Sequence, residues 1–501
     1  MSTDLSTTPP GTPGAPGTPG ASDKLDREVL VVAGVVVLGA IMSILDITVV
    51  SVALETFQRE FDATTAQVAW TMTAYTLALA SVIPLTGWAS DRFGTKRLYL
   101  IAIVLFAAGS ALCAAATSLE MLVAFRVLQG LGGGMLVPLG MTILTRAAGP
   151  ERIGRVMAVM GIPMLLGPIF GPIIGGALIE NASWHWIFLI NVPIGAAAIV
   201  YAAKVLPKDS VEPSETFDWL GMVLLSPGLA AFLYGVSTIP ETGTVLDAEV
   251  LLPAIIGLLL IVAFVPWALA RSNKHPLVDL RLFTNGTMTV AVIAMSLFAI
   301  AFFGASLLFP LYFQQVRDEG ALSAGLLLAP QGVGAMLVMP VAGVLSDRIG
   351  PGKIVLAGIA VITIGMGMFA TLDATTSYTF LMGALFVMGL GMGATMMPIM
   401  SAALQTLRGH TVARGSTLLN IVQQVAASIG TAIFSVLLTN GVKNDVRPSK
   451  DPVQVLDDLA GVFSSTFWVA AVMVAVVLVP AFFLPRKPPA EPVDQTALMG
   501  H

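Results

Sequence analysis

The sequence predicts an all-α integral membrane protein of fourteen transmembrane helices, built as two six-helix bundles with a pair of helices inserted between them. Three observations carry this expectation. Of 501 residues, 56% are hydrophobic and only 11% charged, where a soluble domain carries about 25% charged residues; such a chain cannot cover itself with polar surface. The apolar residues gather into fourteen runs of roughly 20 residues, the length of helix that crosses a bilayer core. Closed barrels, the other structure that satisfies its backbone in lipid, would show short alternating segments instead. Finally, a ten-residue pattern from the first half of the chain returns 256 positions later, so the runs fall into two related sets.

Taken in order, residues 1–28 are rich in Pro, Gly, Thr and Ser and read as a disordered cytoplasmic tail. Lys24 and Arg27 precede a first apolar run longer than a signal h-region and without an evident small-residue cleavage site, so this helix is expected to remain as an anchor. The runs lie at 29–54, 67–89, 98–117, 120–144, 156–179 and 186–206, then 219–238 and 250–270, then 288–314, 322–345, 353–372, 379–405, 416–440 and 462–484. They define an N-terminal bundle over 29–206, an inserted segment over 207–280, a C-terminal bundle over 281–485 and a second cytoplasmic tail over 486–501.

Basic residues test the count, because a missed or invented helix would scramble their alternation between loops. With the N-terminus placed in the cytoplasm, inner loops receive Arg92, Lys96, Arg97, Arg146, Arg152, Arg155, Lys204, Lys208, Arg271, Lys274, Arg281, Arg348, Lys353, Arg408 and Arg414, and the tails Lys24, Arg27, Arg486 and Lys487. Outer loops receive only Arg59, Arg317, Lys443, Arg447 and Lys450, and Arg126 falls within a helix. The expected topology is therefore a multi-pass protein of the cell membrane with both termini cytoplasmic.

Several function classes are excluded. A net charge of -5 without a dense basic block argues against nucleic acid. Cys113 is the one cysteine, so neither an intramolecular disulfide nor a cysteine metal site is available. His185, His275, His410 and His501 are scattered and suggest no metal centre. The glycine-rich stretches 130–134 and 389–393 lie in apolar helices with no strand before them, so they are not phosphate loops. No cofactor is expected, and no nucleophile, base and orienting group stand together as an enzyme would need.

The repeated pattern is Gly87-Trp-Ala-Ser-Asp91-Arg92-Phe-Gly94-Thr-Lys96, which returns as Gly343-Val-Leu-Ser-Asp347-Arg348-Ile-Gly350-Pro-Gly-Lys353. Each copy follows an even-numbered helix at a cytoplasmic turn. Gly130 and Gly132 likewise return as Gly389 and Gly391, 259 positions on. The turn, its second copy and the run Leu122-Val-Ala-Phe-Arg126-Val-Leu-Gln129-Gly130 resemble signatures of the major facilitator superfamily, whose fold consists of parallel duplicated halves. Gly161, Pro163, Gly167, Pro168, Gly171, Pro172, Gly175 and Gly176 resemble its fifth-helix antiporter motif, although packing explains the glycine spacing equally well. The stretches around Asp46 and around Trp184-His185-Trp186 resemble the fourteen-helix drug:proton antiporters of the EmrB and QacA type, with Ser51, Glu55 and His185 in place of that family's usual Asn, Pro and Arg.

The resemblance implies a proton-coupled exporter of small amphipathic or cationic compounds, with multidrug efflux as its usual role. A dedicated exporter of an endogenous lipid, siderophore or secondary metabolite is the alternative, and a non-transporting membrane sensor a third. Asp46 is the acidic residue well inside the first run. An intramembrane carboxylate is a functional candidate by default, since its charged form is costly there and it can load and release a proton. Arg126 is its expected partner. The two turns, with Gly87, Asp91, Arg92, Gly94 and Lys96 in one and Gly343, Asp347, Arg348 and Gly350 in the other, are the expected gates. Gln129, Phe302, Phe303, Gln314, Gln331, Met396, Asn420 and Gln423 are candidates for a mixed polar and apolar substrate pocket. Glu55 and Glu180 are read as solvated acids at the outer face. The expected partners are a small-molecule substrate, protons and the lipid bilayer, with the chain acting as a monomer.

Overall fold

The structure, a computed structural model, describes residues 26–149, 152–209, 216–242, 244–407, 411–446 and 451–486. The expected tails therefore lie almost wholly outside it, as do Arg408, His410, Arg447, Lys450, Lys487 and His501. Among the described residues every regular element is helical. The first half comprises α1 (Arg27–Glu60), α2 (Thr65–Phe93), α3 (Thr95–Ala114), α4 (Leu119–Ala148), α5 (Ile153–Asn181), α6 (His185–Leu189) and α7 (Asn191–Val205). The inserted hairpin is α8 (Trp219–Thr242) and α9 (Ala248–Leu269). A short turn then leads to α10 (Gly286–Phe298), a π-helical turn at Ala299–Phe303, α11 (Leu308–Gln315), α12 (Ala321–Leu327), α13 (Ala329–Ile349), α14 (Pro351–Phe369), α15 (Tyr378–Gly393), α16 (Met396–Leu404), α17 (Thr411–Asp445), α18 (Pro452–Val476) and α19 (Leu478–Ala481).

Thirteen of these segments are long and apolar enough to cross a membrane. The 29-residue α5 occupies the remaining place among the fourteen expected and at 1.5 Å per residue is also long enough. Five expected spans are broken rather than continuous, and proline explains where. A proline leaves the carbonyl four residues earlier without its helical donor. For Pro193, Pro310, Pro330, Pro398 and Pro480 that carbonyl belongs to Leu189, Ser306, Leu326, Ala394 and Val476, and each break falls within two residues of it. Pro84, Pro138 and Pro340 sit inside continuous helices, so proline permits these breaks without compelling them.

The two halves repeat in three dimensions. α4 packs on α2 and α3, and α3 on α7; in the second half α15 packs on α13 and α14, and α14 on α18. Glycines allow these crossings because in lipid close backbone approach replaces the hydrophobic drive. A methyl group on Gly130 or Gly134 would lie 2.5–2.6 Å from the Tyr75 or Leu79 carbonyl oxygen of α2, and on Gly132 2.5 Å from the Phe106 amide nitrogen of α3. A methyl group on Gly389 or Gly393 would likewise collide with the Gln331 or Ala335 carbonyl of α13, and one on Gly391 with the Gly358 carbonyl of α14. The sequence repeat is thus a repeat of helix crossings. Across the halves, α5 packs on α13 and α17 on α2. The inserted hairpin lies outside this arrangement, with α8 against α2 and α17 and α9 against α8.

Gly132→Ala and Gly391→Ala should each destabilise the protein by about 1–3 kcal/mol, since the obstructing atoms are backbone. Gly176→Ala, whose added methyl meets nothing within 4 Å, should not. Thermal unfolding of the detergent-solubilised variants measures the difference.

Candidate functional site

Arg126 lies two turns into α4, and its side chain is 1% exposed. A guanidinium cannot shed its proton to escape burial, so its surroundings must supply acceptors. Asp46 of α1, itself fully buried, forms a salt bridge to its Nη1. Nη1 also donates to Gln129 Oε1 at 2.7 Å, Nε donates to the Thr71 carbonyl at 2.9 Å, and the guanidinium carbon lies 4.1 Å from the centre of the Tyr75 ring. Asp46 in turn accepts from Gln129 Nε2 at 2.7 Å and from Asn191 Nδ2 at 3.4 Å. Both amides donate to the Ser110 hydroxyl, at 3.2 and 3.1 Å, and Tyr75 shares a 3.0 Å hydrogen bond with Ser43. Five helices, α1, α2, α3, α4 and α7, meet at this one polar cluster.

The sequence reading named Asp46 and Arg126 for this place but assigned Gln129 to the substrate pocket. Gln129 is fully buried and bridges the acid and the base, since it lies one helical turn after Arg126 on the same face. Asn191, Ser110, Thr71 and Tyr75 were missed because nothing in their own sequence neighbourhoods marks them. The equivalent crossing in the second half is apolar: Gly109 abuts the backbone of Gln129 just as Gly365 abuts that of Met388, and Leu385, Met388 and Met366, where the repeat places Arg126, Gln129 and Ser110, are all fully buried.

The fifth-helix glycines seat α5 beside the acid. Gly167, Gly171 and Gly175 pack on Ile44, Thr48 and Val49, the turn of α1 on either side of Asp46, and the Thr48 hydroxyl donates to the Gly167 carbonyl at 3.1 Å. Gly161 faces Met339 and Met397 of the other half, while Gly176 has no neighbour. The side chains of Pro163, Pro168, Pro172, Glu55 and Glu180 lie outside the described set.

The two copied turns do different work. Gly94 and Gly350 end α2 and α13 with φ of +88° and +90°, a region that favours glycine. In the first copy Asp91 pairs with Arg146 of its own half, Oδ1 to Nη2 at 3.2 Å, and Gly87 packs on Arg414 and Thr417 of α17. In the second, Asp347 reaches across to the start of α5, where Gly154 N and Arg155 N donate to its carboxylate at 2.9 and 3.3 Å and Arg155 Nε lies 3.4 Å away. A carboxylate at a helix N-terminus faces both free amides and the positive end of the helix dipole. Arg92 is half-buried and Arg348 exposed on these turns. Asp209, unforeseen in the sequence, accepts from the Lys96 and Arg97 amides at 2.7 and 3.1 Å, and Lys96 Nζ donates to the Ala203 and Leu206 carbonyls. At the matching place the Pro485 carbonyl accepts from Gly352 N at 2.8 Å. The pairs Leu206-Pro207 and Leu484-Pro485 are the signal that would have found this second correspondence. All these junctions lie at the end of the bundle where both described chain ends are found, Asp26 beside Arg152 and Pro485 beside Gly352.

The expected pocket residues are spread over several elements of the second half. Phe302 and Met396 are buried, Phe303 half-buried, and Phe302 stacks on Phe298 at 5.2 Å. Phe302 and Phe303 sit in the π-helical turn, next to the place where Gly304 and Gly430 bring α17 into backbone contact. Gln331 and Gln423 are half-buried, Asn420 donates to the Ser416 carbonyl and contacts Met141 across the halves, and Gln314 is exposed near the end of α11. Between α11 and α12, Glu319 accepts from Ser323 and Tyr378 at 2.5 and 2.6 Å, bonds that hold its carboxyl below the usual range.

A polytopic helical bundle of two related halves, joined where α5 meets α12 and α13 and where α2 meets α17 and holding a buried ion pair in one half, defines a class of membrane transporter rather than of enzyme. The chain belongs to the Major Facilitator Superfamily, whose family profile matches residues 36–431. It is 49% identical over 495 residues to the multidrug resistance protein B homolog of Mycobacterium tuberculosis, covering 93% of this chain and 92% of that one. It is 33% identical over 406 residues to the multidrug export protein EmrB of Haemophilus influenzae, covering 80% and 79%. The crystal structure of the human organic anion transporter MFSD10 shares the fold, with a TM-score of 0.63 at 16% identity over 90% of this chain and all of that one. The resemblance read from the motifs to EmrB-type transporters accords with these relatives.

Asp347→Asn should weaken the junction between the halves by about 1–2 kcal/mol, which shifts the balance of joined and parted arrangements by roughly five- to thirtyfold. Electron–electron resonance distances between labels at the exposed Lys204 and Lys353, one in each half, should lengthen accordingly.

Proposed function

We propose that the protein is an exporter of small amphipathic or cationic compounds, driven by protons entering the cell down their gradient, with the joined end of the bundle facing the cytoplasm. The names of its relatives support drug efflux as the cargo class, and the bias of Lys and Arg toward one face supports the orientation. The observation that carries the coupling is the construction of the Asp46 cluster. If Asp46 took up a proton, Arg126 would keep Gln129 Oε1, the Thr71 carbonyl and the Tyr75 ring face. The base is therefore not orphaned when the acid is neutralised, which is the usual cost of breaking a buried pair. Protonation would loosen α1 from α4 at modest cost, and deprotonation would draw them together again, giving two arrangements that a proton can bias. Alternating exposure of a site between the halves then moves the compound outward.

In proteoliposomes with an imposed pH gradient and ethidium as probe, Asp46→Asn should bind ethidium but fail to accumulate it against its gradient, and should not acidify or alkalinise the lumen on ethidium addition. Full proton-driven accumulation by this variant would remove Asp46 as the carrier. Arg126→Ala should lose about 3–5 kcal/mol of stability, because it leaves a buried carboxylate uncompensated. Combining it with Asp46→Asn should restore part of that loss in thermal unfolding.

A further inference from the structure

The inserted hairpin encloses a cavity that the transport reading does not use. It measures about 350 Å³ and lies between α8 and α9 on one side and α10 and α17 on the other. Leu225, Leu229, Phe264, Ile421 and Val425 are among its walls, and its one polar side chain, Ser296, spends its hydroxyl on the Val292 carbonyl. Interiors this close-packed hold few voids larger than a water, and a void of about 150 Å³ with such a lining stays dry and binds benzene. A cavity more than twice that size, with no charge in it, suits hydrocarbon.

Its position says which hydrocarbon. Every wall belongs to a membrane-spanning segment or to the turn leading into one, and the outer wall is α9, an outlying helix whose Val265 lines the cavity yet is 41% exposed. Just beyond, where α9 ends, stand the exposed cations Arg271 and Lys274, together with Trp219, 71% exposed, and Trp267, whose indole N–H is held by Asp218 at 2.7 Å. Tryptophans at this level belong to the interfacial belt of a bilayer, and exposed lysine and arginine there complement anionic headgroups.

We infer that this cavity is a phospholipid site: one acyl chain from the leaflet at the basic end enters between α9 and α17, while an anionic headgroup rests on Arg271 and Lys274. The α17 residues that line it, Ile421 and Val425, also meet Ala80 and Ile83 of α2 where the two halves join. A chain in the cavity thus buttresses α17 from behind against α2. This goes beyond the proposed transport and does not depend on the identity of the exported compound.

The test places the protein in nanodiscs of phosphatidylglycerol and phosphatidylethanolamine doped with phosphatidylglycerol carrying a diazirine in one acyl chain. Photolabelling should concentrate in peptides spanning 225–229, 261–265 and 418–429. Ser296→Phe and Ala426→Leu, which fill the cavity, should each reduce it roughly tenfold. The surface pair Arg271→Gln and Lys274→Gln, where folding is not at stake, should reduce labelling by the phosphatidylglycerol probe while leaving that by a phosphatidylethanolamine probe unchanged. Labelling no greater there than on the exposed Ile364 face of α14, or unaltered by all of these variants, would overturn the site. So would loss of lipid labelling on adding ethidium at transport concentrations, which would assign the cavity to the cargo.

Discussion

The first half of this protein is organised around one requirement, that a permanently charged guanidinium in an apolar helix must be given acceptors. Arg126 receives a carboxylate from α1, a carbonyl from α2, an amide oxygen from its own helix and an aromatic face, and α3 and α7 complete the set through Ser110 and Asn191. Such a pair adds little net stability, because desolvation consumes most of the attraction. What it adds is register. Five helices must meet with their polar atoms within hydrogen-bonding distance, and a helix displaced by a turn would leave charge unpaired. Closure of the N-terminal bundle and placement of Asp46 are therefore one and the same condition.

The second half meets the same geometry with different chemistry. Glycines cross at the same places against the same backbone atoms, yet Leu385, Met388 and Met366 fill the space where the first half holds Arg126, Gln129 and Ser110. Leucine and methionine pack such a crossing without any polar accounting. The duplication thus preserves how helices approach and leaves free what sits between them, which is how one half can carry a titratable group while the other serves as its counterpart.

Much of this was legible in the sequence, and the reasons differ by feature. The span count followed from composition and apolar length, and the repeat from two glycine-bearing patterns, because both are properties of consecutive residues. Asp46 and Arg126 stood out singly, as charges in apolar runs. Their pairing was expected too, although 80 positions separate them, because a lone acid and a lone base within apolar helices each need a partner. The bridging position of Gln129 was not legible, because an isolated glutamine in a helix reads alike whether it lines a pocket or bridges an ion pair. Asp209 was invisible because its role, capping α3 through the Lys96 and Arg97 amides, belongs to backbone groups that carry no sequence signature. The span breaks needed more than proline positions, since Pro84 and Pro340 leave their helices whole.

Distance then poses its own question, for the buried pair and the junction of the halves lie at different depths. α2 reaches both, through the Thr71 carbonyl and Gly87, and α5 links the turn of α1 around Asp46 to the opposite half. Its middle glycines seat it on Ile44, Thr48 and Val49, bracketing Asp46 on α1, and its first turn holds Asp347 of the opposite half. A helix is stiff along its axis, and the glycine row leaves no flexible side chain between α1 and α5 to absorb a displacement. A movement of α1 that follows from charging or neutralising Asp46 must then be taken up either by sliding along that smooth row or by moving α5 as a rod, and the second course strains the two amide bonds to Asp347. The bond to the Gly167 carbonyl from Thr48 resists sliding. Under the proposed coupling, the α1–α5 contact is therefore where the protonation of the acid and the parting of the halves become the same mechanical problem.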